Sequence, residues 1–369
     1  MIVANKLLPL LVIILLTGTN LFRTALSCVL LSQREKISYY TTGTKEVLGR
    51  RCSLKNATKL FVFGDSYVDA GNTNKLVSDS WKQPFGFTYP GKPSGRWSDG
   101  RVWSDYVAKF LGVPSPIPYE QRRRRKKKDL RNGMNFAYGG TGVFDTFAKY
   151  PNMTIQIDFF HEMVKSGVYK LEDLRSSVAL VAVSGNDITE FFNKNGPIIT
   201  EQKWNRFQDK IVLQTTKNIQ RIQALGVKCI AVDALEPLGC LPSLTLGSSF
   251  TKCDKFANSL SVYQNQQLLK GMAALARKTP QTNYYYLDLY SSWLAVLRKM
   301  RKRGKNNPLK PCCVGKKSNF SCGSVDENGR KMYAVCKRPR GSFFWDLVHP
   351  SQKGWKQVYL NIQRNVRSL

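Results

Sequence analysis

The 369-residue sequence predicts an α/β fold, one doubly wound domain in which a five-stranded parallel sheet is covered by helices on both faces. Three observations predict it. Five short apolar runs, Leu60–Phe63, Met134–Tyr138, Val178–Val183, Cys229–Val232 and Tyr284–Leu287, are each bounded by Gly, Asp, Asn or Ser. The segments between them carry apolar residues at helical spacing, and strands alternating with helices give a parallel sheet buried on both sides. Hydrophobic residues make up 42% and charged residues 22%, the proportions of a soluble globular domain. That composition excludes a wholly disordered chain, a collagen and a simple coiled coil.

The first element along the chain is a targeting segment. Lys6 gives a basic start, Leu7 to Leu16 form an apolar run interrupted only by Pro9, and Ala25 and Ser27 are small residues just before Cys28. This is the pattern of a secretory signal peptide over residues 1–27. An uncleaved anchor is the rival, but the apolar core is about half of the roughly 20 residues a membrane span needs. No second long apolar run follows, so the mature chain is expected to carry no transmembrane span and to be secreted, extracellular or in the cell wall. Residues 28–57 read as an N-terminal leader and 58–369 as the folded domain.

Within that domain the first apolar run is the first strand. Trp103, Tyr106, Val107, Phe110 and Leu111 then fall on one face and predict a helix. The spacing predicts further helices from Trp204 to Leu225, with Gly226 as its cap, and from about Asp254 to Ala276. The last segment places Trp355, Val358, Tyr359, Ile362 and Val366 on one face after Pro350.

Nine cysteines in a secreted chain make disulfides the expectation. Cys240 and Cys253 flank a Pro/Gly/Ser-rich loop. Cys312, Cys313, Cys322 and Cys336 cluster; a zinc site is the rival there, although the CxxC pairs of a zinc ribbon are absent. Cys229 sits inside an apolar run and reads as a buried free thiol. Sequons at Asn56, Asn152 and Asn319 fit a secreted chain.

Lys and Arg number 57 against 25 Asp and Glu, a formal net charge of +32. That balance allows nucleic acid, an anionic membrane surface or an acidic polysaccharide as partner. Arg122–Lys128 is an unbroken run of cations and Arg298–Lys305 is a second basic cluster. Adjacent like charges repel, so the first predicts a solvated loop. The other reading is an anion-contacting patch, for instance for an anionic cell-wall polysaccharide. Nucleic acid is not expected, because the stacking-aromatic motifs of RNA-binding modules are missing.

In open α/β sheets reactive groups gather beyond the carboxyl ends of the strands. After the first three runs come Gly64-Asp65-Ser66-Tyr67, Gly139-Gly140-Thr141-Gly142 and Ser184-Gly185-Asn186-Asp187. These supply a hydroxyl, a glycine-lined backbone and a side-chain amide. A serine nucleophile with backbone and amide donors for an oxyanion is what acyl transfer needs. Gly140 lets the backbone approach a substrate with no Cβ in the way.

The base must be one of two histidines, His161 or His349. Asp346 lies three residues before His349, so one turn of helix-like backbone puts both side chains on one side. The carboxylate then holds Nδ1–H and leaves Nε2 to take the Ser66 proton. His161 lies in a helical stretch without such a partner and reads as structural. Alone, each motif has an ordinary reading: Ser66 a helix N-cap, the glycines a turn or phosphate nest, Ser184–Asp187 a type I turn, and D-x-x-H a capping pair or half a metal site. Four in order at successive strand ends argue otherwise. No G-x-S-x-G nucleophile elbow and no Walker A loop occurs.

The blocks FVFGDSYVDAGNT, NFAYGGTG, VAVSGND and FFWDLVHPSQKGW, with Leu238-Gly-Cys-Leu-Pro242, resemble the GDSL esterase/lipase family of SGNH hydrolases, and most of all its secreted plant members. The resemblance runs over about residues 58–366. It implies a flavodoxin-like three-layer α/β/α sandwich with no metal and no organic cofactor. Carried over, Ser66 matches the nucleophile, the Ser66 and Gly140 N–H groups and the Asn186 side chain match the oxyanion donors, and Asp346 and His349 match the acid–base pair. The sequence departs from the family at Tyr67, which lies past the nucleophile and is expected to stand outside the mechanism. It departs also at Thr141, where alanine is common, and in the Arg122–Lys128 run.

The resulting expectation is a secreted serine esterase or lipase that hydrolyses a small-molecule, lipid or polysaccharide ester through a Ser-His-Asp triad and an acyl-enzyme. The alternative is a catalytically silent, basic cell-wall binding protein on the same fold.

Overall fold

The computed structural model of the chain describes residues 57–304 and 307–367. The signal peptide expected over 1–27, and all but the last residue of the leader, lie outside the described residues.

Six parallel strands form one sheet in the order β2-β3-β1-β4-β5-β6. They are β1 (Lys59–Phe63), β2 (Ile117–Pro118), β3 (Gly133–Asn135), β4 (Ser177–Val181), β5 (Cys229–Asp233) and β6 (Asn283–Leu287). The five expected strands are all present. The expected count is corrected by β2, a two-residue edge strand whose Ile117 pairs with Met134. Pro118 has no N–H to give a ladder, so this segment fits only a sheet edge. Its length hides it from any periodicity.

Helices cover the sheet in two packed groups. On one side α2 (Met153–Lys165), α4 (Glu201–Ala224) and α5 (Lys255–Lys278) pack together; on the other α1 (Trp103–Leu111), α6 (Leu289–Lys302) and α7 (Gln352–Arg367) do. A further helix, α3 (Asn186–Asn195), leaves the end of β4. β1 reads as an apolar run because it is buried on both sides. The Phe61 ring lies 4.6 Å from Phe160 of α2, while Tyr67, just beyond the strand, stacks on Trp293 of α6 at 5.9 Å. The helix starts are locally encoded. Thr200 accepts from the Lys203 N–H and Asp254 from the Ala257 N–H, occupying donors that the first turn cannot satisfy itself. Cations crowd the last turn of α6, where the carbonyl end of a helix favours them.

An antiparallel hairpin, β7 (Cys313–Gly315) with β8 (Tyr333–Val335), forms a small second unit. Cys312–Cys336 and Cys313–Cys322 disulfides staple it, and it packs on Phe85 and Trp345. The four clustered cysteines are thus disulfides and not zinc ligands. Cys240 pairs with Cys253. Cys229 is corrected: it is a disulfide cysteine, not a free thiol. A half-cystine is as apolar as a thiol, so its apolar surroundings could not tell the two apart.

Arg123–Lys126 and Lys128 are exposed as expected and Arg122 is half-buried, but the run is not an irregular loop. It falls in a 3₁₀ helix, Tyr119–Arg124, and a short helix, Lys127–Leu130. Arg122 lies over the Tyr119 ring at 3.5 Å and donates to the Tyr119 carbonyl, and Asp129 accepts from the Lys126 N–H. These local partners offset part of the repulsion. Among the described residues no helix is long and apolar enough to cross a membrane.

Candidate active site

Parallel register makes three strand ends level. Phe63 pairs with Val181 and Val62 with Asn135, so Gly64–Ser66, Phe136–Gly140 and Ala182–Asn186 leave the sheet along one rim. Gly64 starts the first of these with φ of +148°, and a Cβ there would lie 2.4 Å from the Ala182 carbonyl oxygen. Only glycine lets the two strand ends approach so closely.

Ser66 follows in a tight turn. It is 7% exposed, and its hydroxyl makes no hydrogen bond to any described residue. It is not a helix N-cap. Asp65 serves the turn instead: Oδ1 accepts from the Tyr67 N–H at 3.1 Å, and Oδ2 accepts from the Ser184 N–H at 2.8 Å. Asp65 thereby ties the serine turn to the segment carrying Asn186.

The glycine loop is held from both sides. Asp69 is fully buried; one oxygen accepts from Gly71 and Asn72 N–H, each at 2.7 Å, and the other from Gly139 N–H at 2.9 Å. Asn72 donates to the Asn135 and Ala137 carbonyls, both at 2.8 Å. On the far side Asp187 accepts from Val143 N–H at 3.0 Å and Phe144 N–H at 3.1 Å. Burial pushes the Asp69 and Asp187 carboxyls up to about 6 despite these hydrogen bonds. Gly140 has φ of +82°. Asn186 is the first residue of α3, entered through Gly185 at φ +85°, so the motif is a helix start and not a type I turn. Its Nδ2 donates to the Thr141 carbonyl at 2.9 Å. An amide NH₂ carries two donors, so one remains beside the glycine loop. Thr141 turns its own hydroxyl inward, 2.8 Å from the Tyr138 carbonyl oxygen.

Asp346 and His349 meet at the same rim, but not on a helical turn. A bridge between Phe344 and Pro350 closes the loop, with Trp345 N–H donating to the His349 carbonyl at 2.7 Å. Within it Asp346 Oδ1 accepts from the Val348 and His349 N–H groups at 2.9 and 2.7 Å. The His349 Nδ1 lies 2.8 Å from Oδ2 and 3.0 Å from Oδ1. Burial pushes the Asp346 carboxyl up, but the His349 charge and these donors outweigh it and hold it below the ordinary carboxylate range. With Nδ1 so engaged, Nε2 has no partner among the described residues.

Two aromatic residues frame the imidazole. Trp97 stacks on it at 5.1 Å and 26°. Trp97 also borders the glycine loop: a Cβ on Gly139 would lie 2.2 Å from its Nε1. Its neighbour Arg96 makes a two-pronged pair with Asp105 of α1 at 2.8 and 2.9 Å. Tyr67 stands edge-on to the imidazole at 6.0 Å, and its hydroxyl donates to the Val348 carbonyl at 3.1 Å. Tyr67, expected to stand outside the mechanism, is thus a neighbour of the imidazole. It joins the residue after Ser66 to the residue before His349. His161 is exposed on α2, away from this set.

All five sequence-predicted positions, Ser66, Gly140, Asn186, Asp346 and His349, therefore lie at one rim. Asp69, Asp187 and Trp97 support them and were not singled out; Tyr67, which also borders them, was noted only as a departure from the family. Asp69 and Asp187 stand inside the motif blocks, and that was their only signal. Trp97 had none. A partnerless hydroxyl, an imidazole tied at Nδ1, and backbone and amide donors are the parts of an acyl-transfer site.

A model of the GDSL-like lipase/acylhydrolase family matches residues 60–362. A GDSL esterase/lipase of Arabidopsis thaliana is 50% identical over 310 residues, 82% of this chain and 85% of that one. A second from the same plant is 45% identical over 317 residues, covering 84% and 89%. Among solved structures, an acetylxylan esterase from Geobacillus stearothermophilus overlaps with a TM-score of 0.38 at 14% identity, over 85% of this chain and 96% of that one, too loosely to argue from.

Proposed function

The chain belongs to the GDSL lipase/acylhydrolase family and is a carboxylic-ester hydrolase, and from that premise we propose that Ser66, His349 and Asp346 are its catalytic triad. Ser66 Oγ attacks the ester carbonyl while His349 Nε2 takes its proton. Asp346 fixes the tautomer that carries the proton on Nδ1 and stabilises the imidazolium. The Ser66 and Gly140 N–H groups and the Asn186 amide receive the negative charge that develops on the carbonyl oxygen. His349 then protonates the departing alcohol. Water, deprotonated by the same nitrogen, releases the acid from the acyl-enzyme.

The observation that carries this reading is the Asp346–His349 pair. Both carboxylate oxygens converge on Nδ1, at 2.8 and 3.0 Å, and leave Nε2 free. The silent-binder alternative is not favoured, since a silent relative need keep none of the five residues. The proposal includes export by residues 1–27 and a hydrolase domain over 58–369 that acts outside the cell.

Turnover of a series of p-nitrophenyl esters of rising chain length tests it. Ser66→Ala is expected to lose on the order of 10³-fold or more in kcat, the remainder coming from oxyanion donors and binding, with the thermal midpoint retained. Full turnover by a folded Ser66→Ala protein would reject the assignment.

A further inference from the structure

The active-site rim carries a feature that ester hydrolysis in water does not require. Leu76 and Ile198 are 87% and 91% exposed, more than any other large apolar side chain among the described residues, and Val77, Phe147 and Val348 are exposed as well. Leu76, Val77, Phe147 and Val348 belong to segments of this rim, and Ile198 to the connection beside it. Leu76 and Val77 follow the serine turn, Phe147 flanks the glycine loop, and Val348 precedes His349. Ile198 lies in the α3–α4 connection, where Phe191 and Phe207 stack at 4.1 Å and Phe207 reaches Phe144 of the glycine loop at 6.4 Å.

The basic run is on the same side. It follows the carboxyl end of β2, next to β3, whose end carries Gly140. Contacts make the join continuous. Asn72 accepts from the Glu120 N–H at 3.0 Å, Tyr138 donates to Glu120, the Tyr138 and Tyr150 rings stack at 5.9 Å, and the Asn74 N–H donates to the Tyr150 hydroxyl at 3.2 Å. Arg123–Lys126, Lys75 and Lys149 are exposed around these contacts. The nearby acids, Glu120, Asp129 and Asp145, each accept a neutral hydrogen bond, from Tyr138, the Lys126 N–H and the Asn152 amide, and are outnumbered by these cations.

We propose that this rim docks on the surface of an anionic lipid aggregate, the apolar side chains entering the headgroup region and the cations meeting the lipid charges, so that esters held in that surface reach Ser66 directly. The proposal rests on the Ser66 site described above. Cations beside exposed apolar side chains suit an anionic lipid interface, where burial of the apolar part adds to the charge attraction. A hydrated acidic polysaccharide would use the cations and leave Leu76, Val77 and Ile198 without a partner.

Vesicle co-sedimentation of the Ser66→Ala protein, which leaves the lipid intact, tests the proposal. Vesicles of phosphatidylcholine with phosphatidylserine are expected to carry the protein down, and phosphatidylcholine alone to carry much less. The double change Leu76→Ser, Val77→Ser is expected to weaken partitioning by about tenfold, and replacement of Arg123–Lys126 by Ser and Gln by as much or more. Both changes are at exposed positions, and unchanged thermal midpoints would show that the fold is kept. Absence of binding to anionic vesicles overturns the proposal. So does binding indifferent to Leu76 and Val77, or retention on polygalacturonate without vesicle binding, which would make the partner an acidic polysaccharide. Failure of the triad reading would show separately, as soluble-ester turnover that survives Ser66→Ala.

Discussion

Asn186 has one amide N–H committed to the Thr141 carbonyl at 2.9 Å, which fixes the side chain against the glycine loop and aims the other. Asn186→Ala is therefore expected to lower kcat by about 10²–10³ with a smaller effect on KM. A change confined to KM would mean that the amide binds substrate and transition state alike. Glu236, in the loop after β5, offers a second residue-level test. It is buried at 1% exposure, with the Tyr67 hydroxyl beside its carboxyl group. Burial, with Asp65 adding to it, pushes its carboxyl up to about 8 from an ordinary 4.5. Over that window the folded chain keeps a proton that the unfolded chain has released, so stability falls as pH rises through it. Glu236→Gln removes that loss. Its thermal midpoint should gain on the wild type as pH is raised from about 5 to about 8, and a constant difference would show that the group does not titrate there. That Ser66, Asp346 and His349 share one rim was legible because each stands in a contiguous block with a chemical meaning. Glu236, Trp97 and Tyr67 were not, because their partners are far away in sequence. Tyr67 bonds to Val348, 281 positions on.

At the scale of elements, the strands were legible where both faces are covered, since full burial writes an unbroken apolar run. β2 escaped because two residues and a proline make no pattern. α3 and α6 lie between the motif blocks and carry no spacing as plain as theirs, and of α2 only the stretch around His161 read as helical. The D-x-x-H spacing suggested a helical turn, but an Asp346 side chain that accepts from two backbone N–H groups builds a tighter loop and still brings the pair together. The glycine loop shows how an element is fixed by a carboxylate from another. A Cβ on Gly142 would lie 2.3 Å from the Asp187 carboxylate. Gly142→Ala should displace that carboxylate and release the Val143 and Phe144 N–H groups, lowering both kcat and the thermal midpoint. The stability cost should be about 1–3 kcal/mol, that of leaving buried donors unpaired. An unaltered kcat would mean that the loop holds its shape without the Asp187 clamp.

At the scale of the whole molecule, the net charge of +32 was plain from composition, but its placement was not. Topology puts the densest run at the carboxyl end of the edge strand, and hence on the rim that carries Ser66. The same topology gathers residues from positions 66, 140, 186, 346 and 349, which is why four separated blocks describe one site. The central claim is that Ser66 is the activated nucleophile of that site. An alkyl fluorophosphonate probe, followed by peptide mapping of the labelled protein, tests it most directly. One labelled serine is expected, Ser66, with labelling abolished in Ser66→Ala and strongly slowed in His349→Ala. Labelling of a different serine, or undiminished labelling of the Ser66→Ala protein, would contradict it.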